Sequence, residues 1–385
     1  MTGTVLFFTY SNKYICADRI EGVRRYAEKA GWSLQVVERN SGDRQLDVKG
    51  IVEFWNPIGI IAECGGGVPE MSVLDGGRVP VVYLDEEPLA RGDRALYVNS
   101  DSARVGELAA KEMLSLNLPH YGFVGWRLPR FWSEERKAAY TSALSLHGRE
   151  CIAFDCPPDA TDISRCSLLA QWLAALPKPC GVFAANDPVA ENVLSIAASV
   201  GISVPRDLAV IGVDDDLAIC ERTKPTLSSI RLDFERSGRI CAELLDSRLG
   251  DPDFTHPPVK FGPVQVMRRW STRRTALDNG RVTRAIAFIR RYACDGIGNA
   301  EVAAEMGLSR RMAEIAFMRC TGHTIHCEIA NVRMERVERL LLDPQQDMTA
   351  IAGLCGWISG SALRKAFKER HDGLSMREWR AKRLG

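Results

Sequence analysis

The chain lacks any run of apolar residues near the roughly 18 needed to span a bilayer. Residues 1–10 hold neither a basic segment ahead of an apolar core nor a small-residue cleavage site. The expectation is a cytoplasmic protein with no membrane partner. No Cys-x-x-Cys occurs among the 12 cysteines. The closest pairs, Cys151 with Cys156 and Cys320 with Cys327, fall outside zinc-knuckle spacing, and a chain of 385 residues needs no disulfide staples, so scattered reduced thiols are expected. The six histidines, His120, His147, His256, His323, His326 and His371, form no pair at zinc-ligand spacing, and Gly-x-Ser-x-Gly is absent. Gly65-Gly66-Gly67 has no Lys-Ser/Thr or Gly-x-Gly-x-x-Gly framework around it and reads as a loop after a strand. These absences leave an enzyme without a nucleophile, a metal or a cofactor site.

A strong excess of one charge is also lacking, since the formal net charge is +1. That balance hides a split. Residues 281–385 carry 18 Lys and Arg against 12 Asp and Glu, whereas residues 1–280 carry 32 against 37. Arg268, Arg269, Arg273 and Arg274 add a basic cluster just ahead of the boundary, and the asymmetry points to a polyanion partner for the C-terminal part.

What is present is alternation. Apolar β-rich runs at 4–9, 58–62, 79–84, 121–125, 151–154, 180–184 and 208–213 are separated by helical patterns at 18–30, 102–116, 134–147, 163–175 and 189–200. This predicts an α/β unit of doubly wound parallel sheets, with ligands at the carboxyl ends of the strands. The pattern stops at residue 266. Residues 267–280 read as a linker into an all-α domain over 281–385.

Within that domain, Ala303, Gly307 and Ser309 fit a helix-turn-helix: a small residue lets two helices approach, glycine allows the left-handed turn, and serine caps the next helix. Ala352 and Gly356 repeat the pair 49 residues later, and Phe317 and Phe367 are 50 apart. Two units in register are therefore predicted. Residues 323–342 between them read as one helix of about 20 residues, hence about 30 Å, close to the roughly 34 Å turn of B-DNA, so that one chain reads two half-sites of double-stranded DNA.

Ser359, Ser361, Leu363, Lys365, Phe367 and Lys368, followed by Gly373, Ser375, Met376, Trp379 and Arg380, closely resemble the signature of the AraC family of transcription regulators. In the second unit, Leu363, Lys365, Met376 and Trp379 stand where that family usually has Phe, Arg, Pro and Tyr. The first unit departs more, with Ala313 and Ala316 where a large apolar residue and an Arg are usual. Base contacts are expected from Arg310, Arg311 and Glu314 in the first recognition helix and from Ser361, Arg364 and Lys365 in the second. Lys368 and Arg380 are expected on phosphates.

Gly181 to Ala190, with Asn186 and Asp187, and Gly201 to Asp215, with Val204-Pro205, Asp207 and Asp214, resemble the effector domain of the LacI/GalR family. The resemblance implies a two-lobed, periplasmic-binding-protein-like fold over 1–266. Lobe one would hold 1–117 and 235–250, and lobe two 118–233 and 251–266, crossed by three strands. The ligand contacts expected are Tyr14, Asp101, Trp132, Arg136, Asn186 and Asp214, a set of carboxylates, Arg, Asn and an aromatic face suited to many hydroxyls. The joined architecture resembles sugar-controlled AraC-family activators, which implies D-xylose or a related monosaccharide as effector, RNA polymerase as partner and a homodimer. Two other readings stand beside it: an AraC-type DNA-repair alkyltransferase, which needs an activated cysteine and a four-cysteine zinc site, and a sugar-binding protein whose C-terminal helices serve assembly alone.

Overall fold

Val5 to Phe8, wholly inaccessible to solvent, show why the first apolar run becomes a central strand: it is buried on both faces, as parallel strands are. The computed structural model describes residues 3–9, 13–38, 46–64, 69–74, 77–87, 90–92, 94–157, 160–273, 280–321, 323–343, 346–347, 350–371 and 373–384, without the side chains of 13–16, 69–70, 280, 283, 319 and 382–384. The chain forms two compact units, Met1–Thr272 and Arg273–Gly385.

The first unit runs β1 (Gly3–Thr9), α1 (Lys13–Ala30), β2 (Trp32–Glu38), α2 (Val48–Trp55), β3 (Gly59–Glu63), β4 (Val81–Leu84), β5 (Leu96–Ser100), α3 (Ser102–Ser115), β6 (His120–Val124) and α4 (Phe131–Ser145). It continues through β7 (Cys151–Phe154), α5 (Asp162–Ala175), β8 (Cys180–Ala184), α6 (Asp187–Ser199), β9 (Leu208–Asp214), α7 (Leu217–Cys220), β10 (Ser228–Leu232), α8 (Phe234–Gly250), β11 (Val259–Phe261) and β12 (Pro263–Met267). Two six-stranded sheets result, ordered β11-β5-β4-β3-β1-β2 and β12-β10-β9-β8-β6-β7. The β10–β12 pair is antiparallel and the other pairs are parallel.

The chain passes between sheets at Asp101, Asp233 and Gly262. Two of these passages carry a helix cap: Asp101 accepts the Arg104 N–H and Asp233 the Arg236 N–H, both at 3.1 Å. The lobe boundaries differ from those the sequence suggested. Helix α3 packs along α4 in lobe two, so the first passage comes at 101 and not 117. Strand β11 pairs with β5 in the first sheet, so residues 259–261 belong to lobe one.

The supposed linker also begins later than expected. Trp270 and Ser271 are buried; the Ser271 backbone pairs with Val210 and Thr226, and its hydroxyl donates to Val210 O at 2.6 Å. The described arginines of the basic cluster are ion-paired. Arg268 donates twice to Glu112 at 2.7 Å, Arg269 pairs with Asp215 and Glu221 at 2.7 Å, and Arg273 lies 3.7 Å from Glu328 in the second unit. Arg274 lies outside the described residues.

The second unit comprises α9 (Gly280–Tyr292), a 3-10 turn (Ala293–Asp295), α10 (Asn299–Glu305), α11 (Arg310–Thr321), α12 (Ile325–Leu341), α13 (Ile351–Leu354), α14 (Gly360–Arg370) and α15 (Met376–Leu384). Helices α10 and α11 form one helix-turn-helix, α13 and α14 the other. Gly307 and Gly356 take φ of 63° and 70° in the two turns, the left-handed conformation expected of them. Thr324 caps α12 by accepting the Cys327 N–H at 3.1 Å, so this helix has 17 residues and a length of about 25 Å, shorter than anticipated. Each unit is tied to α12 by a histidine and a glutamate: His323 Nε2 lies 2.5 Å from Glu328, and His371 Nε2 lies 3.0 Å from Glu338.

Candidate ligand cleft and nucleic-acid interface

Parallel sheets aim the N-termini of the following helices, and the polar residues that cap them, at the carboxyl ends of the strands. Asp101 follows β5, Asn186 follows β8 and Asp214 ends β9. Asn186 caps α6, its Oδ1 accepting the Val189 N–H at 3.1 Å. Asp101 likewise caps α3, so each has a structural duty and retains further hydrogen-bonding capacity.

Arg136 is central to the cleft. It is 3% exposed, donates from Nη1 to Ala185 O at 2.5 Å and from Nη2 to Ser100 Oγ at 3.4 Å, and its guanidinium lies 4.9 Å from the Trp132 ring centre. Its buried Nε has no partner among the described residues, which leaves a donor for a ligand. Burial lowers its pKa, opposed by the charges of Asp214 and Asp85. The Asp214 carboxyl is pushed up to about 7 by burial, against the pull of Arg136 and Arg19 and with Asp85 and Asp216 adding to the rise. Asp187 beside it is raised well above the carboxylate range, first by burial and then by Asp214. Asp214 and Asp215 have φ of 109° and 57°, a backbone costing on the order of 1–3 kcal/mol per residue. Asp215 anchors that turn, receiving Arg231 Nε at 2.7 Å and pairing with Arg269.

The fold thus brings Arg136, Trp132 and Asp214 together, with Asn186 and Asp101 at neighbouring strand ends. Tyr14 falls in the first turn of α1, and its side chain lies outside the described residues. Beyond Tyr14 and Asp101, sequence reasoning did not single out a polar cluster at the strand ends of lobe one. Arg19 of α1 is buried against Phe234, 4.8 Å from its ring centre, and pairs with Glu63 at the end of β3 and with Asp85 after β4, the latter at 2.5 Å. Thr9, ending β1, donates to Glu63 at 2.6 Å. The available signal was positional: acidic residues directly after two of the predicted strands. Carboxylates, two guanidiniums, an amide and aromatic faces at the strand ends of the two sheets are groups able to bond hydroxyls, each of which donates and accepts.

In the second unit the outward face of each recognition helix decides what it can touch. Arg310 and Arg311 are exposed on α11, and Ser361, Arg364, Lys365 and Lys368 on α14. Glu314 is not aimed outward. Its carboxylate receives Asn299 Nδ2 at 2.6 Å and the Ile325 N–H at 3.3 Å, tying α11 to the starts of α10 and α12. Arg380 is also engaged internally, donating to the carbonyls of Leu341, Asp343 and Gln346 at 3.0, 3.3 and 2.9 Å. It satisfies the free carbonyls at the end of α12.

Comparison with known proteins bears on both units. Residues 95–272 match the periplasmic binding protein-like domain family and residues 302–382 a helix-turn-helix domain family. The xylose operon regulatory protein of Escherichia coli K12 is 27% identical over 380 residues, covering 96% of this chain and 94% of that protein. Its Haemophilus influenzae counterpart is 25% identical over 94% of each chain. Among solved structures, the xylose-binding transcription activator XylR superposes with a TM-score of 0.67 at 25% identity, over 99% of this chain and 98% of that one. The cellobiose complex of the regulator CelR, 23% identical with a TM-score of 0.57 over 70% of this chain and 84% of that one, shares the sensor fold. The chain is a DNA-binding, sugar-responsive transcription regulator, similar along almost its whole length to XylR, with a periplasmic binding protein-like domain joined to a helix-turn-helix domain.

Proposed function

We propose that this regulator binds D-xylose or a related monosaccharide between its lobes and, as a cytoplasmic homodimer on promoter half-sites, activates transcription by engaging RNA polymerase. That it is a DNA-binding, sugar-responsive regulator accords with relatives aligned along almost its whole length. The observation that carries the sugar reading is Arg136, a buried guanidinium with a free Nε, stacked on Trp132 and close to Asp214. Sugar closes the lobes, and a difference in affinity between the two states of about 1–3 kcal/mol is enough for a useful switch. The domain limits of 1–266, 267–280 and 281–385 shift under this reading to a sensor ending at 272.

The test is calorimetry of the full chain against a monosaccharide panel, paired with mobility shifts on promoter DNA. One sugar gives heat, and Asp214→Ala removes it. Sugar-dependent DNA affinity that survives in Asp214→Ala would overturn the pocket, and salt-sensitive but sequence-indifferent DNA binding would overturn the regulator reading. Sugar hydroxyls donate to ionised Asp214, so binding expels its proton. Sugar affinity therefore falls as pH drops below about 7, by up to about tenfold per pH unit. The stability contribution has the opposite sense: a raised acid pKa favours the fold at low pH, and that gain is lost as pH climbs from the ordinary carboxylate range to about 7.

A further inference from the structure

Cys294 and Cys355 are 61 positions apart in the chain but meet in the second unit, where Gly356, the residue after Cys355, packs against the backbone of Cys294. Cys294 sits half-buried in the 3-10 turn after α9, and Cys355 is wholly buried at the end of α13, one residue before the turn of the second helix-turn-helix. The two backbones are close. A Cβ on Gly356 would fall 2.7 Å from Cys294 O and 2.9 Å from its Cα, so only glycine fits there. The turn that carries Cys294 is pinned by Arg333 of α12, which donates to Ala293 O at 2.7 Å and Ile297 O at 2.9 Å.

We propose that Cys294 and Cys355 form a peroxide-responsive dithiol whose oxidation to a disulfide bolts the end of α9 to the turn of the second helix-turn-helix. The attacking sulfur is Cys294. Neighbouring Cys355, with Arg336 and Arg333 nearby, holds its pKa down to about 7 against burial and Asp295, which supplies thiolate at neutral pH. By contrast, burial raises Cys180 to about 12 and pushes Cys64 and Cys241 up as well. Such thiols stay protonated and inert.

The chemistry balances with a hydroperoxide as the oxidant. Cys294 thiolate attacks one oxygen of hydrogen peroxide, the O–O bond breaks, and hydroxide leaves and takes up a proton as water; the sulfur is now a sulfenic acid. Cys355 sulfur then attacks the Cys294 sulfur, the S–O bond breaks, and the Cys355 proton leaves with the hydroxyl as a second water. Two thiols and one peroxide become a disulfide and two waters. A covalent S–S bond, about 2.0 Å long, is much shorter than any non-bonded contact between two thiols. Cys355 must move toward a turn held by Arg333, and the start of α14 is displaced with it.

The consequence for DNA rests on the reading of residues 281–385 as the DNA-binding domain. The full chain is treated with hydrogen peroxide, alkylated and digested without reductant, and the same samples are titrated with promoter DNA before and after dithiothreitol. The expected result is a peptide pair linked through Cys294 and Cys355, with DNA affinity roughly tenfold lower and restored by reductant, a coupling of ordinary size. Cys294→Ser and Cys355→Ala should each bind DNA like the reduced chain and ignore peroxide. Absence of the linked peptides in the wild-type chain, or linked protein with undiminished DNA affinity, overturns the proposal. Because the peptides are read without DNA and without a variant, failure of the thiol pair and failure of the DNA-binding reading are distinguishable.

Discussion

The two helix-turn-helix units have the same interior and different exteriors. In the 50-residue register, Phe317 and Phe367 are both inaccessible to solvent, and Ala313 and Leu363 are buried at equivalent positions. On the outward face the match ends. Lys365 and Lys368 of α14 are replaced on α11 by Ile315 and Met318, which are 43% and 42% exposed, and Ala362 by Met312, which is 52% exposed. Packing constrains the inner positions because a core tolerates little change in volume. On the proposed reading, unit two meets phosphates and guanine edges, while unit one, with Arg310 and Arg311 beside an apolar stripe, touches thymine methyl groups with little charge.

The largest effects test whether the interiors are equivalent. Phe317→Ala and Phe367→Ala should each lower the stability of the second unit by about 3–5 kcal/mol, read by denaturant unfolding of the full chain; a loss below about 1 kcal/mol in one of them breaks the equivalence. Next comes the division of labour on DNA. Arg364→Ala should weaken specific binding by about 1–3 kcal/mol, and Arg311→Ala by less than half as much; equal losses in titrations of one operator would remove the asymmetry. Glu314→Ala sharpens the contrast from inside unit one. It should cost roughly 1–2 kcal/mol of stability through lost bonds to Asn299 and Ile325 and leave the bases preferred in a random-library selection unchanged. The smallest effect belongs to Ile315→Lys, which gives α11 the side chain of its counterpart. The slope of log affinity against log salt should steepen by about one, and an unchanged slope would mean that α11 does not face the phosphates.

What was legible in the sequence follows the range of the physics involved. β1, β6, β8 and β9 announce themselves because buried parallel strands are continuous apolar runs, and the double helix-turn-helix because its small residues recur at fixed offsets. β11 has three residues and is a strand only because β5 lies beside it. Arg19 looked like one more charge on an amphipathic helix. Its partner Asp85 is 66 positions away, and nothing local marks the pair. Glu314 and Arg380 carry the residue types that bind DNA, and only the fold reveals that their polar groups are engaged with helix ends. Arg136 and Asp214 were singled out through a family resemblance, which supplies long-range information that periodicity does not contain.

Asp214 and Asp215 share a peptide bond, and their duties differ. One is the carboxylate proposed to meet the sugar; the other is ion-paired with Arg269, on the stretch by which the chain leaves the sensor. A crank turns linear push into rotation by mounting both on one axle, and here the axle is a pair of residues with left-handed backbone. A sugar that draws on Asp214 thus acts one bond from the fastening of the sensor's exit strand.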